Sequence, residues 1–371
     1  MFSRGDTLPR TLHLLVFWLM KFLFLTIWLL LTLFPASASF ATELPKVKSF
    51  EDWCNERDSL SAETKKTVNY LLEGSGTQDC RLADIALNER TELLTSSPTP
   101  SDISDLRPIA SLTNLRQLSF FSHKITDLTP LVNLKNLEAL AIYSDRLTDI
   151  SPLASLNNLT DLRLLGKNIT DIRSLSSLTK LKKFTLWYSS IKNIEPLKYL
   201  TQLKELSLYD TNQISDISSL ASLKSLTILD LSLTKVANIQ ALSGLSKLER
   251  LTLDSNQITD IKPIERLTNL VYLDLGANRI SKLHSLSKLK NLTTLNLNHN
   301  KIDDIKPLAG LTQLRGLSLH NNQIANIQPL ASLKNLEELI ISQNKIKSRV
   351  CPVSPQSICE FEGSGLVRRI F

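Results

Sequence analysis

The chain has 371 residues, 42% hydrophobic and 21% charged, with a net charge of +7. That balance excludes a disordered or collagen-like polymer. Of the +7, +2 lies in the first 38 residues, and no block of Lys and Arg marks a nucleic-acid footprint.

At the N-terminus Arg4, Arg10 and Lys21 precede the apolar run "FLFLTIWLLLTLF" (22–34), and "PASASFA" follows with Ala36 and Ala38 as a small-residue cleavage site. A membrane-spanning helix needs about 20 apolar residues. Counting back to Leu12 reaches that length but places Lys21 inside. Residues 1–41 therefore read as a cleaved signal peptide, with an uncleaved anchor as the alternative. Either way the expected location is secreted, periplasmic or cell-surface.

Cys54 and Cys80 stand before the central body, Cys351 and Cys359 after it. An even count in an exported chain reads as disulfides, and four cysteines allow three connectivities. The two pairs lie at opposite ends, which leaves 54–80 and 351–359. Neither pair has C-x-x-C spacing or a nearby His, so a metal site is set aside. Residues 42–92 read as a helical cap. Ser61 opens a helix through Val68, Leu71 and Leu72, and Gly74 is expected to end it. Residues 86–106 form a degenerate first unit with "SSPTPSD" as a loop.

From Leu115 one phrase repeats. Leu115, Leu118, Phe120 and Ile125 recur as Leu137, Leu140, Ile142 and Leu147, a step of 22. The first slot returns at Leu159, Leu181, Leu203, Leu226, Leu248, Leu270, Leu292, Leu314 and Leu336, always after 22 residues except the 23 between Leu203 and Leu226. The phrase L-x-x-L-x-L-x-x-N-x-I, followed by "DI-x-PL-x-x-L", is the leucine-rich repeat signature. The L-x-L alternation makes a short strand with one face inward. Pro130, Pro152, Pro196, Pro263, Pro307 and Pro329 lack an N–H and turn the chain back. One unit cannot cover its own core, so units stack.

Asn256, Asn278, Asn300, Asn322 and Asn344 hold the turn out of the strand, where an amide donates and accepts between coils. Earlier coils carry His123, Asp145, Lys167, Ser189 and Thr234 in that slot, and the added residue of the long unit moves Asn212 off register. The expected fold is an α/β solenoid, a right-handed superhelix with a parallel concave sheet of about 11 short strands. It spans 93–348 and is capped at both ends. Residues 349–371 supply the second cap, a disulfide loop "CPVSPQSICEF", and a tail.

The 22-residue units with "DI-x-PL-x-x-L" resemble the internalin-like class of bacterial leucine-rich repeat proteins. The flanks "W-C…TV-x-x-LL…GT-x-DC" and "CPV-x-P-x-SIC-x-F" look like those of secreted cyanobacterial repeat proteins. The resemblance covers about residues 49–361. It implies recognition of a protein or glycan on the concave sheet, and it brings no catalytic residues.

The residue after the third core slot forms one column on that sheet. It reads Phe121, Tyr143, Leu165, Trp187, Tyr209, then Ser232, Asp254, Gly276, Asn298, His320 and Ser342. Five apolar residues run through five coils and stop, with Tyr188 beside them. At about 4.8 Å per strand the stripe spans roughly 20 Å, and half-exposed it makes a patch on the order of 400–500 Å². A patch of that size reads as a binding site. Cross-strand stacking alone and cover by the first segment are the alternatives. In the later coils Asp230, Asp254 and Asp274 suit a basic partner or a solvated surface, and three strands spread them too widely for calcium. His299 and His320 lack a third zinc ligand.

No nucleophile elbow, P-loop or H-E-x-x-H occurs. No cofactor is expected. Asn158, Asn168 and Asn291 begin Asn-x-Thr sequons. The expected function is an exported, non-enzymatic module that binds a protein through the aromatic stripe. An envelope structural or adhesive protein and a carbohydrate-binding solenoid are the alternatives. No nucleic-acid partner is expected, and membrane contact only through an uncleaved N-terminal segment.

Overall fold

The computed structural model describes residues 48–94 and 103–362. Residues 1–41, expected to be a signal peptide, the "SSPTPSD" loop and the tail after 362 lie outside the described residues. The cap opens with α1 (Phe50–Asn55), where Ser49 accepts from the Asp52 N–H and Asp52 accepts from the Ser49 N–H. This reciprocal pair satisfies two otherwise orphaned donors. In α2 (Ala62–Ser75) the Ser61 side chain accepts from the Thr64 N–H, as its sequence suggests. The helix does not stop at Gly74. It runs to Ser75 and ends on Gly76 at φ +77, because the left-handed residue is needed just past the last turn.

The third helix, α3 (Cys80–Asn88), is joined to α1 by the Cys54–Cys80 disulfide, with Cα atoms 5.5 Å apart. Phe50, Val68, Leu71, Leu72, Ala83 and Leu87 are buried in the same core as the repeats. Thr64 Oγ1 and Thr67 Oγ1 fasten α2 to that core by donating to Asp105 Oδ2 (2.6 Å) and to its carbonyl (2.7 Å).

Among the described residues the sheet has 13 parallel strands in chain order. They are β1 (Glu92–Leu94), β2 (Gln117–Phe121), β3 (Ala139–Tyr143), β4 (Asp161–Leu165), β5 (Lys183–Trp187), β6 (Glu205–Ser207), β7 (Ile228–Asp230), β8 (Arg250–Thr252), β9 (Tyr272–Asp274), β10 (Thr294–Asn296), β11 (Gly316–Ser318), β12 (Glu338–Ile340) and β13 (Cys359–Glu360). That is two more than the 11 expected. The degenerate first unit contributes β1, and the C-terminal loop, closed by Cys351–Cys359, returns as β13 beside β12. Each addition covers an edge that would otherwise expose unpaired backbone.

The return legs are short 3₁₀ turns, and the six prolines sit at the first or second position of theirs. A missing N–H costs nothing there. The residue two before the turn's first position adds a cap: Asp127, Asp149, Asp216, Asp260 and Asp304 each accept from the backbone N–H two residues on, at 2.8–2.9 Å. This gives the Asp of the "DI" phrase a defined role in the turn.

Two turn geometries follow the strands. From β5 onward the second residue after the third core slot is left-handed: Tyr188, Asp210, Leu233, Ser255, Ala277, His299, Asn321 and Gln343 have φ between 47° and 58°. The next side chain then points inward. Asn300 shows the resulting ladder, with Oδ1 accepting from Ile280 N and Nδ2 donating to Leu275, Leu297 and Asn298 carbonyls.

In the coils of β2 to β4 the backbone does not flip, so His123, Asp145 and Lys167 are not inward as the slot assignment implies. The buried position falls one residue earlier, on Ser122, Ser144 and Gly166. Ser122 Oγ donates to the Ile103 carbonyl and Ser144 Oγ to that of Ile125. At Gly166 a Cβ would come within 3.0 Å of the Ser144 carbonyl. The 23-residue unit absorbs its extra residue in a tight turn, where Gln213 N and Ile214 N both donate to the Thr211 carbonyl. Thr211 takes the buried slot and Asn212 is exposed.

Ser189 stands where the two geometries meet. It is buried, and its hydroxyl finds no hydrogen-bond partner among the described residues. A buried hydroxyl without a partner carries its desolvation cost uncompensated. Ser189→Ala is therefore expected to leave stability unchanged or raise it by about 1 kcal/mol, read by urea unfolding. A loss comparable to that of Ser144→Ala would show that the hydroxyl is bonded.

A candidate binding face on the sheet

Alternation along each strand turns two or three side chains away from the core, and parallel register aligns them into columns. Phe121, Tyr143 and Leu165 are Cα partners across β2, β3 and β4, and Leu165 pairs with Trp187 on β5. The column holds two aromatic groups with Leu165 between them. In the first, the Phe121 and Tyr143 rings lie 5.6 Å apart, tilted at 44°. In the second, Tyr209 meets Trp187 at 6.4 Å and Tyr188 at 5.8 Å, both edge-to-face.

Exposure divides the stripe. Trp187 is 38% and Tyr188 45% exposed, whereas Phe121, Tyr143, Leu165 and Tyr209 are half-buried by their neighbours. The left-handed turn explains Tyr188. A side chain following Trp187 in an extended strand would point into the core. At φ 58° it instead swings onto the rim beside Tyr209. A bulky residue in this region is uncommon and costs about 1 kcal/mol or more.

Polar neighbours fix the indole. Trp187 Nε1 donates to Ser207 Oγ (2.9 Å), and Ser207 Oγ donates to Asp230 Oδ2 (3.0 Å). Asp230 Oδ1 accepts from the Ser232 N–H (3.0 Å) and hydroxyl (2.6 Å). Sequence reasoning missed Ser207. Its position in the inner column, one strand from Trp187, was the signal available.

The three aspartates differ. Asp230 and Asp254 are half-buried. Asp274 is 8% exposed, accepting from Gly276 N (2.9 Å) and Asn296 Nδ2 (3.0 Å). Burial outweighs those two donors, and the charges of Asp254 and Asp230 add to it, so the Asp274 carboxyl is pushed up to about 6. Burial also raises the Tyr272 phenol, over which the Arg250 guanidinium lies 4.1 Å from the ring centroid. Farther along, the His299 and His320 rings meet edge-to-face at 5.0 Å, and His320 Nδ1 shares a 2.7 Å hydrogen bond with Ser342 Oγ. Burial and then the neighbouring His299 hold His320 below the usual histidine range. No group of three or more His, Cys, Asp or Glu is placed to hold a metal among the described residues.

The sequon amides are engaged. Asn158, Asn168 and Asn291 Nδ2 donate to the carbonyls of Lys135, Asp145 and Thr268 at 2.7–2.9 Å. Asn158 and Asn291 belong to a second amide ladder before the strands, which includes Asn136, Asn269 and Asn335.

The family model for leucine-rich repeats in two copies matches residues 179–222, 268–310 and 312–348. An internalin of Listeria monocytogenes, InlF, is 31% identical over 76% of this chain and 89% of its own, with a TM-score of 0.67. The functional domain of InlJ from the same organism is 24% identical over 81% of this chain and 63% of its own, with a TM-score of 0.63, a likeness of fold. The plant peptide hormone receptor RGFR1, solved in complex with RGF2, also shares the fold at 21% identity, covering 70% of this chain and 45% of its own, with a TM-score of 0.56. No curated protein is matched by the chain.

Proposed function

The chain belongs to the internalin-like family of leucine-rich repeat proteins, and from that premise we propose an exported binding module that docks a protein on the open face of its sheet. The fold supports a protein-interaction role and offers binding in place of catalysis. The paired disulfides and the internalin likeness support a place outside the cytosol or at the cell surface. The apolar run 22–34 after Arg4, Arg10 and Lys21, read as a signal peptide, is in keeping with that place. The anchors of the reading are Tyr143, Trp187, Tyr188 and Tyr209, with Phe121 and Leu165. Asp230 and Asp254 supply polar specificity; Asp274, expected to join them, is buried with both oxygens accepting from Gly276 N and Asn296 Nδ2 and offers a partner no free oxygen.

One observation carries the reading: Trp187 stays 38% exposed although its indole nitrogen is tied to Ser207. An exposed ring held in place loses little entropy on docking and suits an interface anchor. The protein and its Trp187→Ala variant, used as baits for envelope and extracellular proteins, test it. A specifically retained partner is expected to bind the variant about 2 kcal/mol more weakly, roughly thirtyfold. Equal affinity would show that the aromatics only stack on one another.

A further inference from the structure

Charged residues on the open face of the sheet fall into two sets. On β4, and at the far end of β5 and β6 from the aromatic corner, they neutralise each other: Asp161 pairs with Arg163 at 2.8 Å and Lys183 with Glu205 at 2.7 Å. Around the second aromatic group they do not. Asp210, Asp230 and Asp254 form no ion pair among the described residues. Arg250 lies over the Tyr272 ring without pairing to them, and Lys167 lines the same depression as Tyr188 and Asp210 without pairing to either.

The aromatics in this region make a corner. The Tyr188 and Tyr209 planes stand at 86°, those of Trp187 and Tyr209 at 71°. An edge-to-face contact covers at most one face of one ring, so electron-rich faces stay open. Asp230 is tied to the indole through Ser207, and Asp210 directly follows Tyr209. Asp254 stands two coils on in the Tyr209 column, as Asp210 N donates to the Ser232 carbonyl (3.0 Å) and Leu233 N to that of Asp254 (3.1 Å); burial first, and then Tyr188 and these carboxylates, keep the Tyr209 phenol above its ordinary range.

Ring faces attract cations, and carboxylates whose charge no cation balances draw the same sign of charge, even where, as at Asp230 and Asp254, neutral hydroxyls donate to them. We infer that the Trp187–Tyr188–Tyr209 corner, with Asp210, Asp230 and Asp254 around it, receives a basic side chain, arginine or lysine, of the docked protein. The inference rests on the reading that a protein docks here and names the chemistry of its anchor. A planar guanidinium fits best, since it stacks on a ring while donating to a carboxylate at its edge.

The test uses the whole chain and two peptides of one sequence, one with arginines and one with citrulline in their place. Citrulline keeps the shape and removes the charge. Calorimetry at low ionic strength is expected to show the arginine peptide binding about tenfold tighter. The contrast is expected to shrink with salt, and to collapse in Trp187→Leu and in the double variant Asp210→Asn, Asp254→Asn. Circular dichroism confirms that the variants fold. Equal binding of the two peptides, binding of neither, or an unchanged contrast in the double variant would overturn the cation assignment. If the assignment fails while a captured partner still depends on Trp187, the docking reading stands without it.

Discussion

Asn300→Ala lowers the free energy of unfolding by about 3–4 kcal/mol. The amide is buried and serves four backbone groups in adjacent coils: the Ile280 N–H and the carbonyls of Leu275, Leu297 and Asn298. Alanine leaves the donor and at least one acceptor without a partner where water does not reach, at about 1–3 kcal/mol each. The same bonds recur at Asn278 and Asn322, so the loss is local to one pair of coils and nearest-neighbour coupling carries it to the whole stack. Asn168→Ala is the control. Its amide donates to one carbonyl at the exposed surface, and its removal costs under about 1 kcal/mol. Guanidinium unfolding of the three proteins decides. A loss at Asn300 no larger than at Asn168 would show that the ladder follows from the stacking and does not hold it.

The period of 22 residues made the solenoid legible, because each leucine slot reports on one buried position and eleven units repeat it. The turn after the strand was not legible. Whether the inward side chain is the second or third after the core slot depends on one backbone angle, and Tyr188 and Leu233 take the left-handed value that their bulk disfavours. Only a residue with a preference for that region, such as Asn321, announces it. The end strands β1 and β13 were missed for a related reason: neither carries the repeat phrase, and tertiary pairing alone makes them strands.

The candidate face divides the same way. Alternation placed Phe121, Tyr143, Leu165, Trp187 and Tyr209 in one column without coordinates. The Trp187–Ser207–Asp230 chain needs the register of three strands and side-chain torsions as well. Asp254 and Asp274 look alike as letters. They differ because Asp274 sits in the inner column between Tyr272 and the Asn296 amide, while Asp254 lies at the strand end.

That difference sets a pH dependence. An ordinary Asp titrates at 3.8, and in the fold Asp274 is pushed up to about 6. Between those values the folded state holds a proton that the unfolded chain has released. The stabilisation is therefore complete below about pH 4 and is lost as pH rises through 6, a difference of about 3 kcal/mol. His320, held below its usual range, works in the opposite direction, so the comparison must be made between two proteins that share it. Asp274→Asn removes the titration. Its carbonyl still accepts from Gly276 N, but its new N–H₂ faces the Asn296 amide, whose oxygen already accepts from Asn298 N at 3.0 Å. That mismatch costs about 1 kcal/mol at every pH. The stability curves should then cross: the variant is less stable by about 1 kcal/mol at acid pH and more stable by about 1–2 kcal/mol above neutrality. Urea unfolding from pH 3 to 7.5 reads the difference, with the crossing expected at about pH 4.5. Parallel curves would mean that Asp274 keeps its charge in the fold, with water or a rearranged Asn296 supplying what burial takes away.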